Sequence, residues 1–158
     1  MPPITALLHT ANDALHLGRT LETLLPCAEI LIVDHHSRDA TERVARQYGA
    51  RIVSSDNDTD VGHNLADARH EWIFCISPGE SMTEGLQASL FEWSLLPAHE
   101  VEGRFFSLMV REQSGGIWRD LSVPETRLIP RKWTRWDGHL PAHDPAAVML
   151  EGELSRFV

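Results

Sequence analysis

The hexapeptide Glu29-Ile30-Leu31-Ile32-Val33-Asp34 does most to limit what this chain can fold into. Its branched apolar residues follow one another without polar alternation, so a strand here must bury both of its faces. Such a strand belongs inside a parallel sheet with crossover segments packed on it. The neighbouring sequence supplies the other pieces. Ile4–His9 is another short apolar run, and leucines at 15, 17, 21, 24 and 25 form a helical stripe between the two, ended by Pro26. Asp39 with Glu42 three residues on predicts a capping box for the next helix, which Gly49 stops. Arg51–Ser54 and Trp72–Ile76 read as a third and fourth strand, with a helix over Val61–Arg69 between them. Ser77-Pro78-Gly79-Glu80 then breaks the chain, and Thr83 starts a helix to about Leu95. This alternation predicts an α/β fold, an open mixed sheet whose first strands are parallel with helices on both faces. Beyond Pro97 the pattern changes. Arg104–Val110 and Gly116–Ser122 predict a hairpin turning at Ser114-Gly115-Gly116, Glu125–Ile129 a further strand, and the rest is irregular.

At 158 residues the chain is expected to form one domain, residues 1–97 as a βαβ half and 98–158 as a hairpin and C-terminal segment. A balance of 14 basic against 23 acidic residues gives a net charge of −9. That surface repels phosphate backbones, so no nucleic-acid partner is expected. The apolar runs, Ile30–Val33 among them, are far too short for a membrane span, and Met1-Pro2-Pro3-Ile4 has no secretory pattern. Cys27 and Cys75 form no CxxC pair and flank apolar runs, which predicts buried reduced thiols and a cytoplasmic protein.

In a parallel sheet, ligands bind beyond the carboxyl ends of the strands, where strand order reverses. Those ends carry His9-Thr10, Asp34-His35-His36, Ser54-Ser55 and Ser77–Glu80. Thr10 and Asn12, then Val33, Asp34, Ser37, Asp39 and Thr41, then Gly62-His63-Asn64 and Thr126-Arg127-Leu128, resemble the family 2 glycosyltransferases of the GT-A fold. The closest likeness is to the branch that includes lipopolysaccharide core transferases. The resemblance implies a GT-A-like sheet with its first strands in the order 3-2-1-4. It also implies transfer of a sugar from a nucleotide-diphosphate donor to a glycan or lipid-glycan acceptor in cell-envelope synthesis. Thr10, Asn12, Asp34, Asp39, Asn64 and Ser77 would form the nucleotide pocket. Where the family carries a metal-binding Asp-x-Asp motif, this chain reads Ser77-Pro78-Gly79, followed by Glu80. Glu80 would thus be a residual, weak ligand for Mg²⁺ or Mn²⁺, with no tightly bound metal and weak or absent transfer. A noncatalytic module that binds a nucleotide, a glycan or a protein is the alternative.

Each candidate also has a plain structural use. Asp34 and Asp39 suit turn and cap positions, and Asp144, a candidate base beside His143, suits a turn before Pro145. Trp136-Asp137-Gly138-His139 competes with Ala142-His143-Asp144 for the same role. Arg127, Arg131 and Lys132 are the cations that a metal-free transferase would bring to the diphosphate. Trp118, Trp133 and Trp136 can stack on sugars or fill the core. His9, His35, His36 and Asp34 lie near two strand ends, yet no zinc-site spacing links them and adjacent strand residues face opposite ways.

Overall fold

The computed structural model describes residues 3–55 and 65–157. Strands β1 (Ile4–Thr10), β2 (Glu29–Asp34), β3 (Arg51–Ser54) and β4 (Trp72–Cys75) run parallel in the order β3-β2-β1-β4. Their ladders pair Leu7 with Leu31 and with Cys75, and Leu31 with Arg51. Strand order and bounds agree with the sequence reading to within one residue. The side-chain period of two sorts these strands into two apolar layers. Ile4, Ala6, Leu8, Ile32 and Phe74 face one layer, and Leu7, Leu31, Val33, Ile73 and Cys75 the other.

Helices α1 (Ala14–Glu22), α2 (Thr41–Gln47), α3 (Glu84–Trp93) and α4 (Ala98–Val101) contribute their buried residues to the first layer. In α1 the buried leucines are Leu17 and Leu21, with Leu24 just beyond it, at the i, i+4, i+7 spacing of one helical face. Leu15 and Leu25, expected in that stripe, stand in solvent at 93% and 68% exposure. Leu86, Leu90 and Trp93 repeat the spacing in α3, whose N-cap Thr83 accepts from the Leu86 amide at 3.3 Å. Leu65, Ala68 and Trp133 cover the second layer; of the expected 61–69 helix, 61–64 lie outside the described residues and 66–69 are turn and loop rather than helix. The predicted capping box at α2 does not form. Asp39 caps through the Thr41 amide at 2.9 Å, while Glu42 turns outward to Arg46.

The second half completes the sheet. Strands β5 (Glu80–Met82), β6 (Phe106–Ser114), β7 (Ile117–Asp120), β8 (Glu125–Pro130) and β11 (Val148–Phe157) extend it as β4-β8-β6-β11-β5, with β7 beside β6. The expected hairpin is β6–β7, closed by Gly115 and Gly116, both at positive φ. Trp136–Asp137 (β9) and Leu140–Pro141 (β10) form a separate two-stranded ribbon. The segment expected to be irregular instead contains β11, the longest strand, parallel to β6 and antiparallel to β5. Gly152 (φ +88°) sits where the β11 register shifts, with its backbone against Leu86 and Gly85 of α3. Cys75 is buried, which pushes its thiol up to about 12, whereas Cys27 is half-buried rather than buried. Among the described residues no helix is long and apolar enough to cross a membrane.

Candidate functional site

The carboxyl ends of β1 and β2 are laced together by the motif residues. The Asp34 carboxylate accepts from the Thr10 hydroxyl (2.7 Å), the Ser37 hydroxyl (2.6 Å) and the Ser37 amide (3.0 Å). Asn12, in the left-handed region at φ +56°, accepts from the Arg38 amide at 2.8 Å, and its own amide donates to Ser37 Oγ at 2.9 Å. Asp39 receives Thr41 and the Ala14 amide, and Asp13 donates its amide to Thr41 Oγ1. Thr10, Asn12, Asp34 and Asp39 are therefore brought together, first of all as partners of one another. Burial opposes ionisation of Asp34, but the Ser37 and Thr10 hydrogen bonds outweigh it and hold the carboxyl below its ordinary range. An ionised carboxylate has about four acceptor positions, of which three are used here, so Asp34 keeps one for a ligand donor. Asn64 lies outside the described residues.

Ser77-Pro78-Gly79-Glu80 forms a tight turn between β4 and β5. The Glu80 amide donates to the Ser77 carbonyl (3.0 Å), with proline second and Gly79 third at φ +91°, a type II arrangement. The Glu80 side chain does not face the opening. It is 2% exposed, it accepts the Ser77 amide (2.8 Å), and both its oxygens take Arg127 at 2.8 Å. Arg156 of β11 adds bonds at 3.0 and 2.9 Å, and Glu125 binds both arginines. Burial alone would raise the Glu80 pKa, yet the Arg127 charge beside it holds the carboxyl below its usual value. The residues of this turn do not fit a divalent cation. A hard cation needs carboxylate oxygens, and the single carboxylate present is occupied by two guanidinium groups. Glu80, expected as a weak metal ligand, is a buried structural anion.

The cations expected at a diphosphate lie elsewhere. Arg127 is fully buried in this cluster. Because β8 runs antiparallel to β4, pairing Pro130 with Trp72, the following Arg131 and Lys132 fall at the amino ends of the parallel strands. Arg131 binds Glu71 there at 2.6 Å. Asp144, the candidate base, pairs with Arg135, accepts the Ala146 amide at 2.8 Å, and donates its own amide to Thr126 at 2.9 Å. The Ala146 bond leads in drawing its carboxyl below the ordinary range, which suits an anchored turn better than a proton acceptor. Beside it, Glu125, Thr126, Asp137, Leu140 and His143 line a pocket of about 450 Å³. Trp133 is buried against Phe105 and Trp136 is half-buried near it, as core residues, while Trp118 lies on the surface against Phe157.

On the second-layer face, three imidazoles stack. His9 and His35 approach to 2.9 Å (Nδ1 to Nε2), and His139, from the β9–β10 turn, lies 4.1 Å from His9 and 4.9 Å from His35 between ring centroids. Burial, with His139 and His35 adding to it, lowers the His9 pKa to about 3. His36, next in sequence, is exposed at φ +57°, and Asp34 bonds Thr10 and Ser37, so a His9-His35-His36-Asp34 grouping, which the sequence spacing already argued against, does not form. His139 takes the remaining place. Only its occurrence in the Trp136–His139 segment marked it in the sequence.

No protein-family model and no curated protein matches the chain. Solved structures do. The structure of S. aureus TarS 1-349 in complex with UDP-GlcNAc superposes with a TM-score of 0.59 at 13% identity, covering 72% of this chain and 36% of that one. S. aureus TarS gives 0.58 at 12% identity over 72% of this chain and 22% of its own. Glucosyl-3-phosphoglycerate synthase from Mycobacterium tuberculosis, in complex with Mn²⁺, UDP and glucosyl-3-phosphoglycerate, gives 0.51 at 18% identity over 72% and 45%. The chain spans less than half the length of each of these structures. The shared feature is the GT-A fold, a mixed open sheet with parallel strands in the order 3-2-1-4.

Proposed function

We propose that this chain is a GT-A-type nucleotide-binding domain, recognising a nucleoside diphosphate or nucleotide sugar at the carboxyl ends of β1, β2 and β4. In this reading metal-assisted sugar transfer at the β4–β5 turn is lost. The carrying observation is Glu80, whose carboxylate both arginines occupy, so the turn offers no free carboxylate oxygen to a metal that would neutralise a leaving diphosphate. Recognition then rests on the nucleoside portion. Asp34, ionised and pinned in place with one acceptor position left, suits a base N–H or ribose hydroxyl. The 450 Å³ pocket beside His143 is large enough for a sugar ring and would receive the glycan part of a partner. Residues 1–97 form the nucleotide half and 98–158 the acceptor side. The expectation from family likeness, an envelope glycan or lipid-glycan transferase, becomes a binding role here.

Calorimetric titration with UDP, with and without Mn²⁺, tests this. Saturable UDP binding is expected, changed less than about threefold by Mn²⁺, and weakened about tenfold or more by Asp34→Asn through loss of a charged acceptor. Absence of any nucleotide binding removes the nucleotide reading. Strong Mn²⁺ enhancement, or turnover of a UDP sugar, removes the noncatalytic one.

A further inference from the structure

The imidazole stack has no place in that reading. Its ring planes are within 22°, 13° and 11° of parallel, and one nitrogen from each ring lies within 4.8 Å of the other two. A tetrahedral Zn²⁺ at about 2.0–2.1 Å from its nitrogens holds them about 3.3 Å apart, with each lone pair, and so each ring plane, directed at the ion. Closing the set therefore requires the near-parallel rings to turn about χ2. Two of the three are carried by rigid backbone. His9 lies in the β1 ladder opposite Val33, and the His35 amide donates to the Thr10 carbonyl at 2.8 Å. The third comes from the turn of a short ribbon, with Gly138 at φ +63° before it, which can adjust. Hydrogen bonding among neutral imidazoles does not account for the whole arrangement. His9 Nε2, the ring nitrogen not bonded to His35, is buried without a hydrogen-bond partner among the described residues.

We propose that His9, His35 and His139 bind a divalent transition-metal ion of the Zn²⁺ class, leaving a fourth position for water or an anionic ligand. Imidazole nitrogen suits Zn²⁺, Co²⁺, Ni²⁺ and Cu²⁺ and serves Mg²⁺ or Ca²⁺ poorly, since those ions take oxygen. Among the described residues the set is all imidazole, which separates it in chemistry from the oxygen-based site missing at Ser77–Glu80. Three ligands on half-buried rings are present among the described residues, the number that leaves a tetrahedral ion one further coordination position. The net charge of −9 adds a favourable field for a cation. The site needs no nucleotide.

The test uses the full chain stripped of metal with a chelator and titrated with Co²⁺, followed by visible absorption. One saturable Co²⁺ per chain is expected, displaced by a stoichiometric amount of Zn²⁺. His35→Gln and His139→Gln should each weaken it about tenfold or more, since even outer-shell changes at such sites cost that much. The exposed His16→Gln and His99→Gln should leave it unchanged. A rise in melting temperature with Zn²⁺ gives a readout on the unsubstituted chain, should a variant fold badly. The proposal is overturned if the chain shows no saturable Co²⁺ band and no Zn²⁺ shift. It is equally overturned if binding survives both triad substitutions or falls with the exposed controls.

Discussion

Replacing Glu80 with glutamine should unfold this protein more readily than almost any other single change. The Arg127 guanidinium is fully buried and uses four of its five N–H groups: one on the Cys75 carbonyl, two on Glu80 and one on Glu125. Glutamine keeps one acceptor where there were two charged oxygens, and turns two donor hydrogens toward guanidiniums. Arg127 then keeps only Glu125, which Arg156 also binds, while Arg156 retains Glu112 at 3.8 Å, so it is the fully buried guanidinium that loses most of its countercharge. Breaking a buried pair by removing one partner costs about 3–5 kcal/mol. For a chain of this size that is a fall in Tm of about 6–20 °C, at about 2–4 °C per kcal/mol. Urea denaturation followed by tryptophan fluorescence measures it, with the m-value checked so that a change in midpoint reports stability. Arg127→Met combined with Glu80→Gln should recover a good part of the loss, because the stranded charge is gone. A loss below about 1 kcal/mol for Glu80→Gln would refute the assignment of Glu80 as a buried anchor.

Gly152→Ala should destabilise by about 2–4 kcal/mol, since a Cβ there would lie 2.3 Å from the Leu86 amide nitrogen at φ +88°; an unchanged urea midpoint would count against the close approach of β11 to α3. Acid should also unmake the fold. Asp34 and Glu80 titrate below their ordinary values, so the native state binds fewer protons than the unfolded chain as pH falls from about 5. Their contribution is complete above the unfolded carboxylate pKa and is lost as pH passes down through the folded values. Urea midpoints should therefore fall steadily between pH 5 and pH 3, and less steeply in Asp34→Asn.

Strands β1, β2 and β4 are legible in the sequence because each is a short apolar run bounded by turn residues, and burial on both faces removes the need for alternation. The α1 stripe is legible only in part. Leucine at 15 and 25 has the right chemistry and the wrong angle, and helical geometry gives the buried face to Leu17, Leu21 and Leu24. Strand β11 is hidden by its own bulge, since Gly152 shifts the register and breaks the period of two that would mark it. The motif spacing from Asp34 to Thr41 correctly groups side chains in space. It does not tell that these groups satisfy one another. His139 is beyond reach of local pattern, because the ribbon carrying it meets β1 and β2 only through tertiary packing.

The position of β11 has a consequence for the order in which the fold can assemble. In the sheet it lies between β6 and β5, although in sequence it follows every other described strand. The β5 edge is held to the sheet through β11, by Leu154↔Met82 and Arg156↔Glu80 and by the Phe157 amide on the Gly79 carbonyl. A chain emerging from the ribosome thus makes β1 to β4, with their largely local crossovers, well before the partner of β5 exists. Closing a contact across 76 residues is entropically slow beside the α1 and α2 crossovers. Until it closes, Arg127 and Glu80 lack Arg156 and the β4–β5 turn lacks its brace. Synthesis of β11, rather than of the nucleotide half, is then the step after which the crevice can take its final shape.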